Sequence, residues 1–227
     1  MKPIEITNRN IMFTEPMTKQ YNLNIGLILG EKHNYVIDTG LGSGSVAPVL
    51  QYMGNDGKPI IVVNTHSHWD HIWGNWVFEK NMIISHSTCR ELENAYWDDA
   101  IQAFSSRIDG EVKKCIPNMV FDGNLYFPED GITIFYTPGH TADCISVYDA
   151  VDKVLYVGDN IGDTEDEIIP EIETDLPTFQ RMIETYKQYE FDVCISGHNK
   201  PQMKDVIARM EIALLEAWRK QTEGSKQ

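Results

Sequence analysis

The stretch THSHWDH, Thr65 to His71, places three histidines and an aspartate within six positions. Its reading decides the fold. His66 and His68 are two apart and face the same way on an extended strand, whereas Asp70 and His71 can start the next helix and swing inward. The preceding Ile60 to Val63 is a β-branched run, and Ile72, Trp73, Trp76 and Val77 recur at helical spacing. The motif therefore sits where a strand becomes a helix, and one short segment can supply two adjacent metal ions.

Composition narrows the setting. With 227 residues and 42% hydrophobic content, the chain has enough apolar material for one large core, so a single domain over residues 1–227 is expected. A formal charge of −15 repels phosphate backbones, which argues against nucleic acid, although an acidic surface is also simply how many proteins stay in solution. No segment approaches the roughly 20 apolar residues that span a bilayer, and the start, MKPIEITNRNIMF, has no signal-peptide stretch. The expected location is cytoplasmic, with no membrane partner. Cys89, Cys115, Cys144 and Cys194 show no paired spacing, which predicts reduced thiols, with Cys144 and Cys194 as small buried hydrophobes.

Strands are predicted at Tyr21–Leu29, Tyr35–Ile37, Ile60–Val63 and Met82–Ser85, with helices at Ser45–Met53, His71–Phe78 and Arg90–Ile108. Strands resume at Ile132–Tyr136, Ile145–Tyr148, Val154–Val157 and Phe191–Ile195. A final helix carries the apolar stripe Met203, Val206, Ile207, Met210, Leu214 and Trp218, and the ending TEGSKQ should fray.

Three further signals share one design, a strand that ends at a glycine followed by a metal-type donor: YTPGHT with His140, LYVGDN with Asp159 and ISGHN with His198. With the first motif they make five histidines and two carboxylates, enough for two three-residue sites sharing a bridging donor. Imidazole and carboxylate suit zinc, and also iron or manganese.

In chain order, VIDTG, THSHWDH, PGHT, VGDN and SGHN resemble the five motifs of the metallo-β-lactamase fold superfamily, from about Tyr21 to Lys200. The resemblance implies an α/β fold, a four-layer αββα sandwich with the metals at one edge. It assigns His66, His68 and His140 to a first divalent ion, Asp70, His71 and His198 to a second, and Asp159 to a bridge. It further implies a metal-dependent hydrolase in which a metal-bridging hydroxide attacks a small ester, thioester, lactone or related substrate, with Asp70 also helping to move the proton. Because imidazole binds metal only when neutral, activity should fall below the reference histidine pKa of about 6.5.

Asp38, in VIDTG, reads either as a partner that orients a ligand histidine or as a turn cap after its strand. His33, in the turn EKHN, reads as solvated, and His86 is a weaker pocket candidate. Trp73 and Trp76, three apart, should share a helix face in the core, whereas Trp69 either lines the pocket mouth or is buried. The segment from Arg90 to Pro117 is expected to cover the site.

Known branches of the superfamily fit unevenly. Twenty-nine residues, 199–227, follow His198, short of the helical extension of glyoxalase II-like enzymes, and Asn160-Ile161-Gly162 stands where acyl-homoserine lactonases usually carry a tyrosine. Secreted β-lactamases commonly lack the bridging aspartate. Two other function classes stay open. One is a mononuclear iron oxygenase resembling the persulfide dioxygenases, separable by metal identity and count. The other is a non-catalytic metal-binding protein, separable by absence of turnover.

Overall fold

A computed structural model describes residues 1–19 and 21–224. Strands β1 (Lys2–Glu5), β2 (Asn10–Pro16), β3 (Asn22–Leu29) and β4 (Asn34–Ile37) run antiparallel to one another. Helix α1 (Ser43–Met53) then leads to β5 (Ile60–Val63). The short helix α2 (Trp69–Ile72) and a 3-10 turn at Asn75–Phe78 lead to β6 (Met82–His86), and α3 (Ser87–Phe104) precedes β7 (Met119–Phe121). These seven strands pair in chain order, the last four in parallel.

The second sheet is built from β8 (Asn124–Phe127), β9 (Ile132–Tyr136), β10 (Ile145–Asp149), β11 (Val154–Tyr156), β12 (Val193–Ile195) and β13 (Gln202–Met203). Helix α4 (Leu176–Tyr186) makes the crossover between the parallel pair β11 and β12, and α5 (Val206–Gly224) follows β13.

Period-2 alternation decides which side chains go where. Ile61 and Val63 of β5 point into the core between the sheets, against Ile134, Val147, Val154 and Tyr156 of the second sheet. Val62 points the other way, with Ile11, Phe13 and Val36, onto Val46 and Val49 of α1. On the far side Leu155 and Cys194 meet Phe179, Met182 and Ile183 of α4 and Val206, Met210 and Leu214 of α5. The order of layers is helix, sheet, sheet, helix, the αββα sandwich expected. No helix among the described residues is long and apolar enough to cross a membrane.

Several local expectations need correction. The region 71–78 is not one helix, because the loop after β4 takes its hydrogen-bonding groups: Thr39 N donates to His71 O at 2.7 Å and Trp73 N to Gly40 O at 3.1 Å. Trp73 and Trp76 therefore do not share a face. Trp73 is fully buried, while Trp76 is half-buried, donating from Nε1 to Glu111 O with Lys113 Nζ 4.0 Å over its ring. Met203 falls in β13 and is 60% exposed, so the stripe on α5 begins at Val206. The expected frayed ending keeps residues 222–224 within α5, and its last three residues lie outside those described. His33 is not simply solvated, since its Nδ1 lies 2.8 Å from Asp130 Oδ2, which also accepts from Tyr35 Oη. Cys144 and Cys194 are buried, as read.

Glu93 of α3 is 2% exposed, and neither carboxylate oxygen makes a well-formed hydrogen bond, the Asn75 side chain being the polar group beside it. Burial pushes its carboxyl up from the usual 4.5 to about 8, with Lys114 opposing. Between those values the folded chain holds a proton that the unfolded chain has lost, so stability falls as pH rises through that window and levels off above it. Glu93→Gln is expected to match the parent chain near pH 5 and to exceed it by a few kcal/mol near pH 9 in chemical unfolding. An equal gap at both pH values would contradict this.

Candidate metal centre

Parallel strands present their carboxyl ends at one edge, where loops can place polar groups without disturbing the ladder. Asp38 follows β4, the segment 65–71 follows β5, Asp159 follows β11 and His198 follows β12, while His140 lies in the turn between β9 and β10. The sheets are tied together at this edge by Asn24 N donating to Gly197 O and Ile145 N donating to Thr65 O, each at 2.8 Å. His66 and His68 lie beyond the end of β5 rather than on it. That strand stops because Thr65 N turns to donate to Asp38 Oδ1 at 2.7 Å.

All seven candidate donors meet. Donor atoms of His66, His68, His140 and Asp159 lie within 4.8 Å of one another, and those of Asp70, His71 and His198 likewise. Asp159 Oδ2 joins the two groups, 3.6 Å from His66 Nε2, 3.3 Å from His71 Nε2 and 3.2 Å from His198 Nε2. Asp70 Oδ2 is 3.4 Å from His198 Nε2.

Each histidine is held by one ring nitrogen and offers the other. His140 Nδ1 donates to Glu171 O at 2.6 Å and His198 Nδ1 to Asn22 O at 2.7 Å, and because a carbonyl only accepts, both Nδ1 atoms carry hydrogen. His71 Nδ1 donates to Asp38 Oδ2 at 2.8 Å, and His66 Nδ1 lies 3.1 Å from Thr65 Oγ1. His68 is reversed, its Nε2 lying 3.3 Å from Glu173 Oε1 and its Nδ1 3.2 Å from His140 Nε2. When these rings are neutral, as metal binding requires, lone pairs of His71, His140 and His198 converge on carboxylate oxygens and on each other. His66 Nε2, His71 Nε2 and Asp159 Oδ1 are buried without any hydrogen-bond partner. Facing lone pairs repel, so this arrangement needs cations between them, and the residues fit divalent ions.

The charges agree. Burial raises the Asp159 carboxyl, but His198, His71 and His66 outweigh it and hold the group well below the usual carboxylate range. Asp70 is held down in the same way, His71 and His198 overcoming its burial. Burial depresses His71 and His198, yet Asp159 with Asp38 and Asp70 lifts the first well above its ordinary value, and Asp159 with Asp70 does the same for the second. His66 goes the other way, pushed well down by burial and by His71.

Asp38 resolves as the orienting partner. Its backbone is left-handed, φ 62°, and its carboxylate accepts from Thr65 N, Thr65 Oγ1 and His71 Nδ1, so one side chain orients both the first motif's turn and a ring within it. Gly158 precedes Asp159 with φ 54°, and a side chain there would strike Thr65 Oγ1.

Three supporting residues were not anticipated. Asn160 accepts from His140 N at 2.8 Å and donates to Thr137 O; its position beside Asp159 in VGDN was the available signal. Glu171 and Glu173 belong to the long connection before α4, placed where Glu173 N donates to His140 O, and no local pattern marks them. His86 is not part of the centre: its Nδ1 caps α3 by accepting from Thr88 N, and its ring stacks on Tyr136. Trp69 lines the cleft over the histidines, a recess of about 560 Å³, and stacks on Phe104 at 4.6 Å.

The family profile described as the metallo-beta-lactamase superfamily matches residues 20–202. The chain belongs to the metallo-beta-lactamase superfamily. Within it, the chain is 29% identical over 164 residues to the acyl-coenzyme A thioesterase MBLAC2 of Gallus gallus, covering 62% of this chain and 58% of that protein. The Homo sapiens protein of the same name is 27% identical over the same coverage. The chain thus spans less than two thirds of the length of these relatives. Solved metallo-beta-lactamases share the fold: that of Hirschia baltica has a TM-score of 0.73 at 17% identity, covering 91% of this chain and 94% of that one. The enzyme of Pontibacter korlensis has a TM-score of 0.74 at 19% identity, covering 94% and 98%.

Proposed function

We propose that this superfamily member is a metal-dependent hydrolase of a small acyl thioester or ester. The observation that carries the reading is the five anchored histidines gathered about Asp159: His66, His68 and His140 with donor atoms within 4.8 Å of it and of one another, and His66, His71 and His198 with Nε2 within 3.6 Å of its Oδ2. His66, His68 and His140 would hold one divalent ion and Asp70, His71 and His198 a second, with Asp159 shared. Two donor groups about one carboxylate favour two ions over the single iron of an oxygenase. Zinc suits the nitrogen-rich set, with iron or manganese as alternatives. Bound divalent ions lower the pKa of water toward about 7 and polarise a carbonyl oxygen. The chain's own part is to orient and to move protons. Asp70 borders the cleft and is placed to take a proton from attacking water, while Asp38 and the Glu171 and Asn22 carbonyls keep the rings in one tautomer. Trp69, stacked on Phe104, shields one flank from solvent. The relatives' name, acyl-coenzyme A thioesterase, supports thioesters as the reaction class. Free cysteines accord with a cytoplasmic location.

The deciding experiment is metal content by mass spectrometry on protein purified without added metal, paired with turnover of generic thioesters. Two zinc or manganese ions per chain with turnover support the reading. One iron would redirect it to oxygen uptake with persulfides, and no metal would overturn it. Since carboxylates hold His71 and His198 above the usual histidine value, protons compete with metal for these rings already above about pH 6.5. Metal affinity and activity should therefore fall as pH drops, with protons released on metal uptake, as calorimetry in buffers of different ionisation enthalpy would reveal. A pH-independent affinity would count against these rings as ligands.

A further inference from the structure

A second depression, of about 350 Å³, adjoins the cleft over the histidines, and the two share His68, Trp69 and Glu173. Its character is opposite. Leu92, Tyr96 and Ala100, spaced four apart along α3, form one apolar wall with Trp69 and Ala142 beside it, while the carboxylates Asp143 and Glu173 are confined to its border with the histidines. Tyr96 is 61% exposed. The first cleft is walled instead by carboxylates. Beyond Asp70 and Asp159, it presents Asp163, Glu167, Glu171 and Glu173, and among the described residues that line it there is no lysine or arginine. Lys19 and Lys200 border the next recess past His198, but that recess also carries Asp163, Glu165 and Asp166, and Lys200 Nζ is 3.0 Å from Glu165. A molecule lying across His68 thus has an apolar end toward α3 and a negatively charged wall at its other end.

We propose that the substrate's apolar acyl group lies along the α3 groove and that its leaving group, directed into the carboxylate-walled cleft, is uncharged or cationic rather than phosphorylated. The proposal rests on the hydrolase reading. In the reaction, water oxygen bonds to the acyl carbon, the carbon–sulfur bond breaks, one water proton goes to the departing sulfur and the other is lost from the new carboxylic acid. Two divalent ions would offset Asp70 and Asp159 and attract the reacting carbonyl, but a phosphorylated carrier extends past them and would bring its charges against Glu167, Glu171 and Glu173, where like charges oppose association. The groove's volume lies at the lower end of small-ligand pockets, which suits an acyl group of moderate length.

The test uses the metal-loaded protein and one acyl group, hexanoyl, on three carriers: thiocholine (cationic), N-acetylcysteamine (neutral) and coenzyme A (anionic). The first two are expected to exceed the third in kcat/KM by at least about tenfold, the gap narrowing as salt screens the wall. Hexanoyl should exceed acetyl on the neutral carrier by roughly threefold to fourfold per added methylene until the groove is filled. Tyr96→Glu, at an exposed position that tolerates charge, should lower the hexanoyl-to-acetyl ratio by about tenfold. Preference for the coenzyme A ester, or equal rates for acetyl and hexanoyl, would overturn the proposal. If neither these thioesters nor the corresponding hexanoyl oxygen esters turn over, the hydrolase reading fails. The groove is then judged by calorimetric binding of S-hexyl-N-acetylcysteamine, a thioether that cannot be hydrolysed, which must bind the parent chain more tightly than Tyr96→Glu; equal binding removes the groove as well.

Discussion

If two ions are held as proposed, Asp159→Ala is expected to reduce bound metal to at most one ion per chain and to lower hydrolysis by well over about a hundredfold, the upper range seen when only an outer-shell partner is lost. Asp159 is 5% exposed, and its Oδ2 stands within 3.6 Å of the Nε2 atoms of His66, His71 and His198, so it faces both donor groups at once. No neighbour can replace it. Asp70 Oδ1 is 3.9 Å from His71 Nε2, and Asp70 belongs to one group only. The loss should be one of metal and rate rather than of fold, because removing one carboxylate among histidines leaves the packed core between the sheets untouched. Asp159→Asn provides the control: it keeps shape and one oxygen but not the charge, and should fall between alanine and the parent in metal retained. Two ions and near-parental activity in Asp159→Ala would remove the shared-donor assignment.

The metal-type residues were legible because their chemistry is local. THSHWDH announces four donors within one turn of chain, and PGHT, VGDN and SGHN each pair a donor with the glycine that turns the strand end. The structure brings these seven side chains to one edge, and their roles as ligands are the proposal above. What holds them was less legible, since it comes from distant chain. Glu173 reaches His68 and Glu171 O reaches His140 only because the connection before α4 folds back over the turn at 140. Asp38 carried two readings on sequence, and only contact with Thr65 and His71, 27 and 33 residues away, separates them.

The fold divides in the same way. Strands β3 to β6 and β9 to β12 were read from apolar runs. Strand β1 was not, because all four of its residues are exposed and show no alternation. Strand β2 buries Ile11 and Phe13 toward α1 and Met12 toward the other sheet, so it lacks the period-2 pattern of a half-buried strand. Helical periodicity at 71–78 was real in the residue types, yet the loop after β4 claimed the backbone groups that would have continued the helix.

Gly197→Ala should be as damaging as loss of a ligand, though it adds a single methyl group. A Cβ at this position would lie 2.5 Å from His71 Cε1 and closer still to Asp159 Oδ1, nearer than real Cβ atoms come to any neighbour. Neither group can retreat cheaply. The His71 ring is tied by Nδ1 to Asp38, and Asp159 follows Gly158, whose left-handed turn is packed on Thr65. Gly197 itself is fixed by its own N–H donating to Gly158 O at 2.9 Å and its carbonyl accepting from Asn24 at 2.8 Å. The strain must therefore go into the positions of the donors, and a misplacement of about 1 Å in a reacting constellation can cost on the order of a hundredfold in rate. The expected result is at least about a hundredfold loss of turnover and weakened retention of the second ion, with His71 in that donor group, while far-ultraviolet circular dichroism stays that of the parent. A loss of folded signal would instead mean that the strain spreads into β12. Parental turnover would mean that the sheet edge yields, and that the close packing of Gly197 on Asp159 and His71 is not what sets the donor positions.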